Sequence, residues 1–235
     1  MRRLFAVALV CLAAQPLWSQ TVRAESVRVE IGGTAVTLAL PAGHCALERS
    51  HDVDRVIIET VERVVANTNH VLAAFAECGQ RAELREGRRK LLDDYGQYMT
   101  PVRGGQSTLP PATFARQMTE VFKSQGAKMI EGAEADTREK LSALRLGIRM
   151  GENRLLGVLK TDDHAAYLGI VQALGLPDGG TKVQVGIAAF GLVKQQVLSL
   201  NLYSPFEEGA AGANTTLRLL ELSTQTYAST AGANE

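Results

Sequence analysis

The residues best suited to chemistry lie close together near position 50. His44 precedes Cys45, and His51 precedes Asp52, with Asp54 two positions further on. An imidazole beside a thiol is the pattern of a nucleophile with its base, and imidazoles with carboxylates can hold zinc or manganese. Neighbouring residues on an extended segment point to opposite faces, however, so His44 is poorly placed to activate Cys45. The two aspartates are also explained by a helix start, where the macrodipole favours carboxylates.

Stronger catalytic signatures are missing from the sequence. The chain contains no nucleophile elbow, phosphate-binding loop, dinucleotide fingerprint, His-Glu-x-x-His helix or Cys-x-x-Cys pair. We therefore predict no catalytic, cofactor-binding or metal-binding residue, and a non-catalytic accessory or binding module for a partner protein or a small ligand. The alternative is an envelope hydrolase with a site assembled from loops, in which His44, His51 and Asp52 are the candidate members.

The first 24 residues have the pattern of a secretory signal peptide. A positive start at Met1-Arg2-Arg3 is followed by an eleven-residue apolar run over 4–14 and by a small-residue cleavage site that ends at Ala24. We therefore expect a periplasmic or secreted protein. The apolar run is shorter than the roughly 18 residues that a spanning helix needs. No later stretch reaches that length, so we expect no transmembrane segment in the mature chain.

Removal of the signal peptide changes the number of cysteines from three to two. Cys11 lies in the predicted signal peptide, and Cys45 and Cys78 remain. In an oxidising compartment an even pair is expected to form a disulfide. Closing this loop would stabilise the fold by roughly 3 to 4 kcal/mol in the chain-entropy model.

The charge balance argues against a nucleic-acid partner. Lys and Arg number 25, as do Asp and Glu, so no net field attracts a polyanion. The basic residues that do cluster are Arg81, Arg85, Arg88, Arg89 and Lys90. Glu83 and Glu86 interrupt this cluster, and it lacks the aromatic side chains on which single strands stack. We predict a solvated face there.

Tyr95, Gln97 and Tyr98 form the best candidate for a recognition surface. Tyrosine offers a large rigid contact area with a polar tip. Gly96 lies between Tyr95 and the other two residues, Gln97 and Tyr98. The alternative interpretation is that one ring packs into the core while the other ends a strand.

The apolar pattern of the first 144 residues predicts a mixture of strands and helices. Two β-branched runs, 27–31 and 35–40, flank Gly32-Gly33 and predict a hairpin. Apolar spacings of three and four over 53–65 predict a helix, and 70–77 predicts a strand that leads to Cys78. A short strand over 95–99 follows, and then two helices over 110–125 and 128–144.

The rest of the chain predicts a sheet with covered faces. Segments 155–159, 165–171 and 182–193 are apolar on both alternating sets, which is typical of strands buried on two sides. Segment 197–203 alternates and predicts only one buried face. A final helix over 213–228 precedes a tail that we expect to be frayed. We predict an α+β domain over 25–235, a three-layer α/β/α sandwich with a mostly antiparallel sheet built from hairpins.

This element order resembles a known fold over most of residues 26–230. It is similar to the fold shared by the extrinsic photosystem II protein PsbP and the Ran-binding Mog family. Through LPAGHC at 40–45, DYGQY at 94–98 and LNLY at 200–203, the chain also looks like secreted proteobacterial proteins of unknown function. The resemblance implies accessory or docking factors that act without catalysis, and it implies no site residue.

Overall fold

The computed structural model describes residues 25–144 and 147–235. The predicted signal peptide lies outside these residues. The elements in chain order are β1 (Ser26–Ile31), β2 (Thr34–Ala39), β3 (His44–Ala46), α1 (Asp52–Val65), β4 (Asn69–Glu77), α2 (Cys78–Arg85), β5 (Tyr95–Pro101), α3 (Pro111–Leu144), β6 (Arg149–Thr161), β7 (Ala165–Gly175), β8 (Thr181–Val193), β9 (Gln196–Pro205) and α4 (Ala210–Gly232).

Seven strands form one antiparallel sheet in the order β3-β4-β5-β9-β8-β7-β6. The strands β1 and β2 pair only with each other, as the hairpin that the glycine pair predicts. Gly32 and Gly33 have φ values of 55° and 80°, the left-handed region that glycine adopts without a steric penalty. The predicted α+β class and layered architecture are confirmed.

The two faces of the large sheet are covered differently. On the α4 face, helix α4 and the β1–β2 hairpin pack over a core that includes Phe75, Leu200 and Tyr227. On the opposite face, which we call the α1–α3 face, α1 covers β4 and α3 covers β6, β7 and β8. The cross-strand neighbours Ala74, Gln97, Asn201, Ala188 and Leu168 all point to the α1–α3 face.

One long helix replaces the two helices predicted over 110–125 and 128–144. Helix α3 is continuous for 34 residues and passes through Gly126 and Gly132. Gly126 is buried, and a Cβ built there would lie 3.5 Å from the side chain of Leu155 on β6. Packing against the sheet compensates for the low helix propensity of glycine, and the prediction of a break was wrong.

Strand β9 is buried on both faces, not on one as its alternation predicts. Ser199 is 6% exposed and Asn201 is 7% exposed, although both are polar. The strand lies fourth of seven in the sheet, so its polar set faces the interior below the helices instead of solvent. Asn201 donates from Nδ2 to Ser199 Oγ at 3.3 Å, which satisfies part of this buried polarity.

The C-terminal tail is docked, and the expectation of fraying was wrong. Helix α4 runs to Gly232, and Thr226 and Thr230 on its last turns are buried. Beyond the helix, the Asn234 side chain accepts from the Thr37 N–H at 2.9 Å and donates to the Thr37 carbonyl at 2.7 Å. These two bonds pair the end of the chain with β2.

The predicted disulfide is present between Cys45 on β3 and Cys78 at the start of α2, with a Cα–Cα distance of 5.0 Å. It joins the edge strand of the sheet to a short helix that follows β4. Among the described residues, no helix combines the length and apolarity needed to cross a bilayer.

Candidate ligand-binding site

A pocket of about 560 Å³ lies between α1 and the α1–α3 face of the sheet. Its volume is within the range of small-molecule sites, and most of its lining is aliphatic. It brings together residues from α1, α2, four strands (β4, β5, β7 and β8) and the segments that adjoin β3, β5, β6 and β7. The lining consists of Leu47, Val53, Val56, Ile57, Thr60, Val61, Ala74, Phe75, Leu84, Lys90, Leu91, Leu92, Tyr95, Gly96, Gln97, Ile148, Leu174, Leu176 and Lys182.

The pocket exists because α1 covers small side chains. Ala74 and Ala76 of β4 pack beneath the helix, and they are too short to fill the space under it. Val53, Ile57 and Val61 are therefore only half-buried, and Val56 is 58% exposed. An amphipathic helix normally buries its apolar stripe against the core. Here part of the stripe borders open space.

Gln97 brings a polar group into this apolar pocket. Its side chain is 8% exposed and lies beside Asn201 on the neighbouring strand. In the part of the chain that the structure describes, no hydrogen bond engages the Gln97 side-chain amide. Its amide atoms are not among the fully buried, unpaired polar atoms of the described residues, so they reach the open space of the pocket and are available to a molecule there. It offers both a donor and an acceptor.

Tyr95 and Lys182 form one wall. The Tyr95 ring stacks on Tyr203 with 5.0 Å between centroids, and Lys182 Nζ lies 5.5 Å from the Tyr95 centroid. Lys182 also donates to the Leu92 carbonyl and lies 3.1 Å from Asp93 Oδ1. Burial raises the pKa of the Tyr203 hydroxyl to about 12 and raises the pKa of Tyr95 as well, so both rings are neutral at physiological pH.

An ion pair holds the N-terminal end of α1 in place. The fully buried Asp54 carboxylate accepts hydrogen bonds from the Arg85 guanidinium of α2 and, at 2.9 Å, from the Glu48 N–H. Burial raises the pKa of Asp54, but these hydrogen bonds outweigh it and the pKa lies below its usual 3.8. The Asp54–Arg85 pair joins α1 to α2, and the disulfide joins the start of α2 to β3. The pocket residues on α1 and α2 are therefore linked to each other and to the sheet.

The predicted recognition residues are divided between the two faces of the sheet. Tyr95 and Gln97 line the pocket, on the α1–α3 face. Tyr98 points to the α4 face, where it is fully buried and its hydroxyl donates to the Ala39 carbonyl at 2.8 Å. Tyr98 therefore cannot share a surface with the other two, and its ring has the core role that the alternative interpretation assigns to one tyrosine.

Of the three candidate hydrolase residues, His44 and Asp52 have side-chain partners, whereas His51 Nδ1 is buried without a hydrogen-bond partner among the described residues. The His44 ring packs edge-on against Phe75 at 5.8 Å, and its Nδ1 lies 3.1 Å from the Ala42 carbonyl. His51 precedes the first turn of α1, and Asp52 accepts a hydrogen bond from Arg55. Within residues 25–144 and 147–235, no three His, Cys, Asp or Glu side chains are arranged to hold a metal ion.

Acidic side chains pair most of the basic cluster. Arg81 lies 3.7 Å from Glu48, Arg88 lies 3.7 Å from Glu83, and Arg85 pairs with Asp54. Arg89 bridges to Asp93 at 2.8 Å. Lys90 is exposed at the mouth of the pocket.

A second concavity of about 900 Å³ lies between the end of β9 and α4. Charged side chains border it, including Glu207, Arg218 and Glu221, and these are exposed. It is a groove with a mixed lining of charged and apolar side chains. The pocket under α1 is the better candidate for a small-molecule site.

The comparisons with known proteins show a weak likeness of fold. No family model and no curated protein matches the sequence. The crystal structure of the Saccharomyces cerevisiae Ran-binding protein Mog1p matches with a TM-score of 0.33 and 12% identity, over 86% of this chain and 94% of that chain. A point mutant of the protein Mog1 gives 0.34 and 14% over the same shares. These likenesses do not identify a partner for this chain.

Sequence reasoning found Tyr95 and Gln97 but missed the α1 residues as pocket residues. The spacing of Val53, Ile57 and Val61 predicts an inward face, and that is where they point. No local pattern indicates that the strand below carries alanines at the matching positions. The signal available in the sequence was the run of small residues at 73, 74 and 76 within a predicted buried strand.

Proposed function

We propose that the protein is an exported, non-catalytic binding protein that holds a small, mainly apolar ligand in the pocket under α1. The observation that carries the proposal is an aliphatic pocket of about 560 Å³ with the Gln97 amide in its lining. An apolar ligand would cover the half-buried side chains of α1, and a polar atom of that ligand would pair with the amide.

Export is the second part of the proposal. It is supported by the signal-like pattern of residues 1–24 and by the Cys45–Cys78 disulfide, since such bonds persist in oxidising compartments. We propose the periplasm as the location, with an accessory role of the kind that the PsbP resemblance implies. Intact mass of protein recovered from the envelope, before and after reduction, tests both the cleavage and the disulfide.

A dye titration tests the binding function. N-phenyl-1-naphthylamine is apolar and uncharged, and its fluorescence rises in an apolar site. Protein expressed from the full-length chain should show saturable binding. Val61→Phe should weaken binding at least tenfold because the larger ring occupies the pocket. Val65→Phe is the matched control, because Val65 lies one turn further along α1 and outside the lining.

The control decides how the result is interpreted. Both variants place the same extra volume on the same helix, and circular dichroism should show that both are folded. Loss of binding in Val61→Phe alone locates the dye under α1. Equal binding by the two variants, or no saturable binding by the wild type, would contradict the proposed function.

A further inference from the structure

We infer that the ligand is an anionic amphiphile: an aliphatic chain with a negatively charged head group and a hydrogen-bonding oxygen further along the chain. This inference rests on the proposed function and adds the chemical class of the ligand. Three features of the pocket carry it: the lining, the charges at the mouth and the position of Gln97.

The lining favours an aliphatic chain over a ligand that is held by aromatic stacking. Branched aliphatic side chains such as Val53, Ile57, Val61 and Leu174 make up most of the surface. The Tyr95 ring already stacks on Tyr203 and has Lys182 Nζ 5.5 Å from its centroid. These contacts occupy the ring surface on which an aromatic or quaternary ammonium ligand would stack.

At the mouth, the positive charge that a ligand could meet comes from Lys90, because Lys182 is paired with Asp93. Lys90 is exposed there, and Lys182 lies on the adjoining wall. The carboxylate nearest to Lys182 is Asp93, which is shared between Lys182 at 3.1 Å and Arg89 at 2.8 Å. Arg89 also pairs with Glu83 at 3.0 Å. Because these acids are already engaged by Arg89 and Lys182, Lys90 can turn toward an anionic head group.

Gln97 sets the position of the second polar group. It follows Tyr95 by two residues on the same strand and the same face, which separates their Cα atoms by roughly 7 Å. A ligand with its head group near Lys90 and Lys182 would extend past Tyr95 before it reaches the amide. A hydroxyl or carbonyl oxygen at that depth would pair with Gln97. A plain alkyl chain would leave the amide without a partner, at a cost in affinity.

Displacement of the dye by four ten-carbon ligands tests this inference. Decanoate, 10-hydroxydecanoate, decanol and decyltrimethylammonium share a chain length and differ in charge or in the distal oxygen. At concentrations below micelle formation, we expect the two carboxylates to bind and the cation to bind at least fivefold more weakly than decanoate. The hydroxy acid should bind more tightly than decanoate.

Two variants assign the polar contacts. Lys90→Gln should weaken decanoate roughly two- to fivefold, the range for an exposed ion pair, and should leave decanol unchanged. Gln97→Leu should weaken 10-hydroxydecanoate about five- to tenfold relative to decanoate, because the variant removes a hydrogen-bonding partner. Decanoate should bind to Gln97→Leu at least as well as to the wild type.

The outcomes separate the inference from the proposed function. Equal affinity for decanoate and decanol, unchanged by Lys90→Gln, would overturn the inference and leave a pocket that binds apolar molecules. Absence of saturable dye binding would contradict the proposed function, whereas saturable dye binding that none of the four ligands displaces would overturn the inference alone. Sedimentation with phosphatidylglycerol vesicles is the third arm, because capture by vesicles without binding of free decanoate would mean that the chain recognises a lipid surface and would also overturn the inference.

Discussion

The two faces of the large sheet are packed to different degrees. On the α4 face, Tyr98, Leu198 and Leu200 are fully buried, and Tyr227 of α4 is buried with them. On the α1–α3 face, the region below α1 has Ala74 and Ala76 opposite half-buried valine and isoleucine side chains. The same antiparallel strands β4 and β5 contribute to both regions, so strand geometry does not explain the difference.

Side-chain volume explains it. Protein interiors are close-packed, and space beneath a helix that side chains do not fill is open to ligand or solvent. Below α3, on the same face as the pocket, Phe122 and Phe190 pack with 4.9 Å between ring centroids. The open space described above therefore lies below α1, at some distance from this aromatic contact.

We expect the largest loss of unfolding free energy when a buried leucine of the α4 face is replaced by alanine. Leu200→Ala removes a fully buried side chain and should cost about 4 kcal/mol of unfolding free energy, measured in urea. Ile57→Ala on α1 should cost only about 1 kcal/mol, because its side chain is half-buried and alanine has the higher helix propensity. Similar losses for the two variants would contradict the division into a dense face and a loose one.

Removing the disulfide should cost slightly less unfolding free energy than Leu200→Ala. Replacing Cys45 and Cys78 together by serine should lower the unfolding free energy by roughly 3 to 4 kcal/mol. Because α2 carries Leu84 of the lining and Arg85, dye affinity should also fall. Wild-type protein in reductant is the control and should behave like the double variant. A variant with wild-type dye affinity would show that α2 does not hold the pocket wall.

The contrast between the two faces also shows what the sequence could predict. The hairpin follows from Gly32-Gly33, and the disulfide follows from the two cysteines that lie outside the predicted signal peptide, because both depend on residues whose behaviour is nearly independent of context. The apolar sets of β7 and β8 predict strands with two covered faces. Each of these predictions uses local information and is confirmed.

Predictions failed where a distant element decides the outcome. Ser199 and Asn201 alternate with leucines as if they faced solvent, but β9 lies in the middle of the sheet. Gly126 has a low helix propensity and favours a break, but its packing against Leu155 keeps the helix continuous. The pocket is the extreme case, because it depends on the fit between α1 and alanines on β4, a property that neither segment carries alone.

Asp54→Asn should have a smaller effect than the disulfide variant, and its effect should depend on pH. The variant leaves Arg85 without its buried carboxylate and should cost about 3 kcal/mol at pH 7. Because the pKa of folded Asp54 is below 3.8, the wild type has this stability above about pH 4 and loses it as pH falls through the lowered pKa. The difference between wild type and variant should therefore shrink in acid. A difference that stays constant from pH 7 to pH 3 would contradict the assignment.

Removing one hydroxyl from each face should give the smallest effect. Tyr98→Phe leaves the Ala39 carbonyl and the Thr230 hydroxyl, both 2.8 Å from the lost oxygen, without that partner in a fully buried position, at a cost of about 1 to 2 kcal/mol. Tyr95→Phe removes a hydrogen bond with Gln184, whose amide keeps a contact to Gln172 at 3.3 Å, and should cost less than about 1 kcal/mol. The two tyrosines are on one strand, so urea unfolding of this pair compares the faces with the same chemical deletion. A greater loss of unfolding free energy in Tyr95→Phe than in Tyr98→Phe would mean that the pocket side is the more tightly packed face. That result would reverse the comparison.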